Sequence, residues 1–227
     1  MLMEEPEAPK TASSKDAKAA LSGEVFGALI NLSGRRRFTS QRIVLYAVLA
    51  SLGHAGAVDT ARAALNLFRD AHNALVHGDR ALPGVFSESL REAYFGELQG
   101  DRKIRDFTAT AERALEAIEA NSRGIDALLE ELVQSATPLL AVANQLTQIY
   151  EEESRRHAVA VKRQLLGIMT DIQTIARHAH IVSFNAKIVA ARAGSDGREF
   201  AVVASELIEI TTHIDQLVKA ALRDSVA

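Results

Sequence analysis

The sequence predicts an all-α fold: an N-terminal antiparallel four-helix bundle that continues into an antiparallel coiled-coil hairpin. Three observations predict it. Apolar residues recur at alternating steps of three and four, the helical period, and no run alternates as a half-buried strand does. Helix breakers fall into a few tight clusters, with only 4 prolines in 227 residues. Between those clusters the uninterrupted stretches are long, one of them running from Ile125 to Gly194 with only Pro138 and Gly167 inside it.

The elements follow in order. Residues 1–17, MLMEEPEAPKTASSKDA, are polar and read as a disordered tail. A first helix is expected from Lys18 to Leu52, broken or bent at Gly34. The cluster Gly53-His54-Ala55-Gly56 makes a turn. A second helix runs from Val58 to Val76, with Ala61, Leu65, Phe68 and Leu75 inward, and His77-Gly78-Asp79 stops it. Pro83 suits the start of a third helix, Val85 to Ala120, with Gly96 and Gly100 as points of interruption. Asn121-Ser122-Arg123-Gly124 reverses the chain again. A long helix then feeds a turn at Gly194-Ser195-Asp196-Gly197, with Pro138 as a candidate kink. The last helix runs from Arg198 to Arg223. The domains expected are the tail, a helical domain over 18–122, and a coiled-coil hairpin over 123–227 with its tip at 194–197.

Composition excludes several classes. The net charge is −3, with no basic bias toward nucleic acid. Cysteine is absent, so disulfides and thiolate metal sites are excluded, which is compatible with a reducing cytoplasm. The most apolar stretch, Ile43 to Val58, is interrupted by Gly53, His54 and Gly56 and falls short of the roughly 20 residues that a bilayer requires. The N-terminus lacks the apolar core of a secretion signal. A cytoplasmic protein without membrane insertion is expected.

The segment Phe184 to Glu206, FNAKIVAARAGSDGREFAVVASE, carries the most functional information. Before the turn, Ile172, Ile175, Ala179, Val182, Ala186, Val189 and Ala193 form a heptad stripe. After it, Phe200, Val203, Leu207, Ile210, Ile214, Leu217 and Ala221 form another. Two glycines permit the reversal between them. Asn185-Ala186, Ile188, Ala190-Ala191-Arg192-Ala193-Gly194, Gly197-Arg198, Phe200-Ala201-Val202-Val203-Ala204 and Glu206, with Ile175-Ala176 upstream, resemble the signalling tip of methyl-accepting chemotaxis receptors. That resemblance implies a docking surface without chemistry of its own, contacting a coupling protein and a histidine kinase. Asn185, Arg192, Gly194, Gly197, Phe200, Val202, Val203 and Glu206 are the implied docking residues, with Arg192 near the contact between neighbouring receptors. Val189 stands where the family usually has a glutamate, which removes an ion pair between receptors. His178, His180, Ser183 and Glu199 also depart from the pattern, so partner choice is open to change.

Residues Ile30 to Arg42, INLSGRRRFTSQR, form the second constellation. Arg37 lies seven residues after Ile30 and seven before Val44, so it shares their stripe. A guanidinium on an inward stripe needs a partner, and its planar fork suits carboxylate, phosphate or nitrate. Ser33, Thr39, Ser40 and Gln41 are placed to complete such a site. Ile30-Asn31-Leu32, Gly34, Arg37, Ser40 and Arg42 resemble the opening motif of the sensor domain of type IV pilus methyl-accepting transducers. They are also similar to the anion-binding box of nitrate/nitrite sensor kinases, where the arginine matching Arg37 grips the anion at a dimer interface. The competing readings are an internal salt bridge from Arg37 to Glu88 or Glu92, and an Arg35-Arg36-Arg37 patch for nucleic acid or anionic lipid.

Other features carry less. His72 and His77, and His178 and His180, lack the i,i+4 spacing of a metal pair. Glu151-Glu152-Glu153 with Arg155-Arg156 reads as a solvated helix face. Receptor-type methylation there is unsupported, because the arm after the tip spans only about 45 Å as a helix. No catalytic constellation and no cofactor motif is present, so no enzyme is expected. The sequence reads as a chemoreceptor-like transducer sensing a small anion and signalling to a histidine kinase or coupling protein. It is expected to be a homodimer, since two hairpins complete a four-helix bundle. The alternative is a ligand-free scaffold that mimics a receptor tip.

Overall fold

The computed structural model describes residues 21–224; the expected tail at 1–17 and the helix start at Lys18 lie outside the described residues. Six α-helices and one 3₁₀ turn account for the regular structure among them, with no strand. The chain divides into two compact units, Met1–Arg155 and Arg156–Ala227. The expected division at 122/123 coincides instead with the turn before the long helix, whose first 31 residues belong to the first unit.

Helix α1 spans Gly23–Ser51 and is capped by the Ser22 hydroxyl, which accepts from the Val25 N–H at 3.3 Å. It runs through Gly34 without the expected break. A lone glycine weakens a helix without ending it, and here the helix is held by packing on its inner stripe. Helix α2 spans Ala57–His77. The expected third helix is two: α3, Glu88–Phe95, and α4, Gly100–Glu119. Gly96 ends α3, and Gln99, in the left-handed region at φ 51°, starts α4. The start falls at Glu88 and not Val85 because Ser87 caps it, accepting from the Leu90 N–H at 3.3 Å. Helix α5 is a single element, Ile125–Arg192, passing through Pro138.

In the first unit α1, α2, α3, α4 and the opening of α5 share one core. Phe26, Leu29, Phe68, Leu75, Leu90, Ile104, Leu115, Leu132, Leu146 and Tyr150 are among its buried members. Phe68 and Phe107 meet edge to face with centroids 5.5 Å apart. Arg62 pairs with Glu119 and Arg69 with Glu112, tying α2 to α4 at the surface. These exposed pairs contribute little each; the core carries the fold.

The second unit is the hairpin: α5 from Arg156, the 3₁₀ turn Gly194–Gly197, and α6, Arg198–Asp224. Its contact seam is not the stripe of large apolar residues. The buried residues are Ala176, Ser183 and Ala190 on α5 and Ala204, Thr211 and Val218 on α6. Each follows directly on a large exposed residue: Ile175, Val182, Val189, Val203, Ile210 and Leu217. The expected seam is therefore displaced by one position. Small side chains let the two backbones approach, and the larger ones turn to one flank.

Candidate functional site

The first site is the hairpin tip. Gly194 sits at φ +65°, in the left-handed region that glycine adopts freely, and ends α5. The Ala193 N–H closes the last turn on Val189 O at 3.1 Å. Gly197 serves differently: a Cβ there would lie 2.1 Å from Ala190 O, so only glycine allows α6 to cross the end of α5. Asn185, Arg192, Gly194, Phe200, Val202, Val203 and Glu206 are exposed, and Gly197 is buried under the crossing. Phe200, Val202 and Val203 are each more than half exposed, at 61%, 64% and 55%. That is a cost a folded chain in isolation gains nothing from. A shallow groove on α6, lined by Arg198, Ala201, Val202, Ser205, Glu206 and Glu209, runs beside them.

The second site is in the bundle, and it is not where the spacing argument put it. Arg36, not Arg37, is the fully buried arginine. The inner stripe of α1 is Phe26, Leu29, Ser33, Arg36, Ser40, Ile43, Ala47 and Ala50. Its steps alternate strictly between three and four, whereas the Ile30, Arg37, Val44 row is only half buried. Arg37 donates to Asn144 Oδ1 on α5 at 3.2 Å, not to Glu88 or Glu92. Ser40 donates to its own helix at Arg37 O, 2.8 Å, and Gln41 is exposed. Ser33 faces the interior. The four expected ligand residues thus do not converge. The buried Arg36 likewise leaves no run of three exposed arginines.

Around Arg36 a polar layer joins all five helices of the first unit. Arg36 donates to Ser33 Oγ at 3.1 Å and to His72 Nδ1 on α2 at 3.2 Å. Guanidinium only donates, so Nδ1 is bare and the His72 proton sits on Nε2. That nitrogen donates to Asp101 Oδ1 on α4 at 2.9 Å, and Asp101 also accepts from Arg105. On the other side Ser33 and Thr147 of α5 are bonded at 2.9 Å, and Thr147 donates to Ala143 O. Tyr94 of α3 lies beneath the guanidinium, 5.7 Å from its ring centroid, and bonds Tyr150 of α5 through their hydroxyls at 3.2 Å. Tyr150 in turn donates to Leu75 O at 3.4 Å.

The electrostatics follow from burial. Desolvation, then the adjacent Arg36 charge, lowers the His72 pKa to about 4, with the Asp101 bond opposing both. The neutral tautomer that the geometry requires is the one these forces favour. Burial beside Tyr94 pushes the Tyr150 hydroxyl well above its ordinary value. Arg36 Nε has no hydrogen-bond partner. The buried cation is balanced by Asp101 only through the imidazole.

Sequence reasoning missed this layer. The strict heptad from Phe26 to Ala50 was a signal that could have found Arg36; nothing local announces that His72 and Asp101, 29 residues apart, meet there. No group of three or more histidine or acidic side chains able to hold a metal occurs among the described residues. None of the described helices is long and apolar enough to cross a membrane.

The tip's two-glycine crossing and the heptad flank beside it define a class: the chain carries a signalling region like that of methyl-accepting chemotaxis proteins. It is 37% identical over 112 residues to the methyl-accepting chemotaxis protein McpN of Pseudomonas aeruginosa, covering 49% of this chain and 18% of that protein. It is 30% identical over 115 residues to McpC of Bacillus subtilis, covering 48% and 17%. It is 30% identical over 122 residues to the biofilm dispersion protein BdlA of P. aeruginosa, covering 52% and 28%. The chain thus spans less than a third of the length of each of these relatives. No family model and no solved structure matches it.

Proposed function

We propose that the chain is a chemoreceptor-like signal transducer whose hairpin tip docks to a histidine kinase or its coupling protein. The observation that carries this is the tip itself. A crossing that admits only glycine at 197 holds Phe200, Val202 and Val203 out to solvent. The similarity to two methyl-accepting chemotaxis proteins supports it. A homodimer through the hairpin belongs to the same reading. Seen down an antiparallel pair, residues at the same offset from the seam turn to the same side. Ile175, Val182 and Val189 therefore share a flank with Val203, Ile210 and Leu217, and a second hairpin would cover it as a four-helix bundle.

The input is the bundle, acting in the cytoplasm on a small anion of the nitrate class. Arg37, half buried and bonded to Asn144, and Gln41 one turn on are the contacts retained at its surface. Thermal unfolding of the full chain with nitrate, nitrite, chloride, sulfate and phosphate tests it, since a ligand of the folded state raises Tm by mass action. A selective shift lost in Arg37→Ala is the expected result. Equal or absent shifts would leave the second reading, a ligand-free scaffold with a receptor-like tip. That reading is favoured by Ser33 and Ser40 being committed to internal bonds.

A further inference from the structure

The outer face of α1 is apolar and cationic at once. Arg35, Phe38, Arg42, Leu45 and Leu52 follow at steps of three, four, three and seven, which puts them on one stripe opposite the buried one. Phe38, Leu45 and Leu52 are 60%, 55% and 70% exposed, and both arginines are exposed between them. Arg42 stacks 5.3 Å over Tyr46, and neither arginine has an acidic partner among the described residues. None is near in sequence either, because residues 25–58 contain no acidic residue. The adjoining stretch of α5, residues 132–150, contains no charged residue at all; Arg37 meets Asn144 there. Three large apolar side chains held in water on one stripe mark a surface that another segment covers.

We infer that the chain's own residues 1–7, MLMEEPE, cover this face as a tethered strap. Their chemistry is the complement of the stripe. Met1, Leu2 and Met3 are apolar, Glu4, Glu5 and Glu7 are acidic, and no basic residue precedes Lys10. Length allows the contact. The described residues begin at Leu21, which leaves 13 residues after Glu7, able to span up to about 43 Å when extended. Arg35 and Leu45 lie about 21 and 36 Å along α1 from Leu21. Both arginines are therefore within reach of the acidic residues, and Leu45 within reach of the apolar ones.

Energetics favour this occupant. Covalent attachment gives the segment a high effective concentration at the face, so a contact of this size suffices. Burial of Phe38 and Leu45 carries the affinity, while the exposed ion pairs, each weak, set register and direction. A second copy of α1 fits less well, since it would set Arg35 and Arg42 against like charges.

The inference does not rest on the proposed function, and its test involves neither the tip nor an anion. The chain has no cysteine, so paired cysteines in the full protein report proximity without background. Leu2→Cys with Leu45→Cys should close a disulfide within one chain under mild oxidation. Leu2→Cys with Glu116→Cys, exposed on α4, should close about tenfold more slowly. Reversing the segment's charge with Glu4→Lys, Glu5→Lys and Glu7→Lys keeps the tether and should abolish the preference for Leu45→Cys. Without the cysteines, the same triple variant should bind Nile red with about twice the fluorescence of the wild type. Adding Phe38→Glu should remove that gain, with helicity and melting curve unchanged throughout. Equal closure at the two positions, or closure indifferent to charge reversal, would overturn the inference. So would a disulfide formed only between chains, which would give the face to another copy's segment. Binding to vesicles of phosphatidylglycerol and phosphatidylcholine that Phe38→Glu abolishes, with Nile red fluorescence indifferent to charge reversal, would assign the face to lipid and overturn it as well.

Discussion

Arg36 and Arg37 are neighbours in sequence with opposite fates, and substitution separates them. Truncating Arg36 removes bonds to Ser33 and His72 and leaves polar groups buried among five helices. Arg36→Ala is expected to cost about 3–5 kcal/mol in urea unfolding, the range for breaking a buried charged network. Arg37→Ala, losing one half-exposed bond, should cost about 1 kcal/mol. His72 makes the bundle acid-sensitive. Its folded pKa, about 4, lies below the unfolded value near 6.5. In that window the unfolded chain binds more protons, so the His72 contribution is full above pH 6.5 and is lost as pH falls toward 4. The loss amounts to about 3 kcal/mol, and between pH 7.5 and pH 4 the unfolding free energy of the wild type should fall by about this much more than that of His72→Gln. In a run of three arginines, one residue decides which is buried. The Ile30–Val44 row competed with the Phe26–Ala50 row, and the second prevails because it carries Phe26, Leu29 and Ile43 inward. The partners of Arg36 come from other helices and leave no trace in local spacing.

At the scale of elements, helix existence was legible and register was not. All the turns were marked by glycine, asparagine or serine clusters, and the reversal at 194–197 falls where the two glycines placed it. The hairpin stripe was read one position off because pattern favours large apolar residues. A close antiparallel pair is instead built on Ala176, Ser183, Ala190 and Ala204. The docking residues carried by resemblance are mostly exposed, while Arg37, which spacing and resemblance both indicated, and Ser33, Ser40 and Gln41, which rested on spacing, do not converge. The two tip glycines make a graded prediction. Gly194→Ala meets only φ strain, with no atom within 4 Å, and should cost about 1 kcal/mol. Gly197→Ala drives a methyl into the Ala190 carbonyl and should cost more, read as faster amide exchange in α6 than Gly194→Ala produces.

For the whole molecule, the polar layer and the hairpin meet in one element, since Thr147, Tyr150 and the tip-proximal Ala190 all belong to α5. A signal would require two packings of that layer with different ligand affinity. The fold class was legible from periodicity, yet the extent of each unit was not. The opening of α5 packs into the bundle through Leu132, Leu139 and Leu146, contacts that only the assembled core defines. The central claim is that the tip docks to chemotaxis signalling proteins. The measurement that tests it most directly is titration of the full chain with the purified coupling protein and histidine kinase of its own host, alongside Val202→Glu. Saturable binding that Val202→Glu weakens at least tenfold, with its melting curve unchanged, is the expected result. No binding at tens of micromolar, or binding indifferent to Val202→Glu and Phe200→Glu alike, would contradict it.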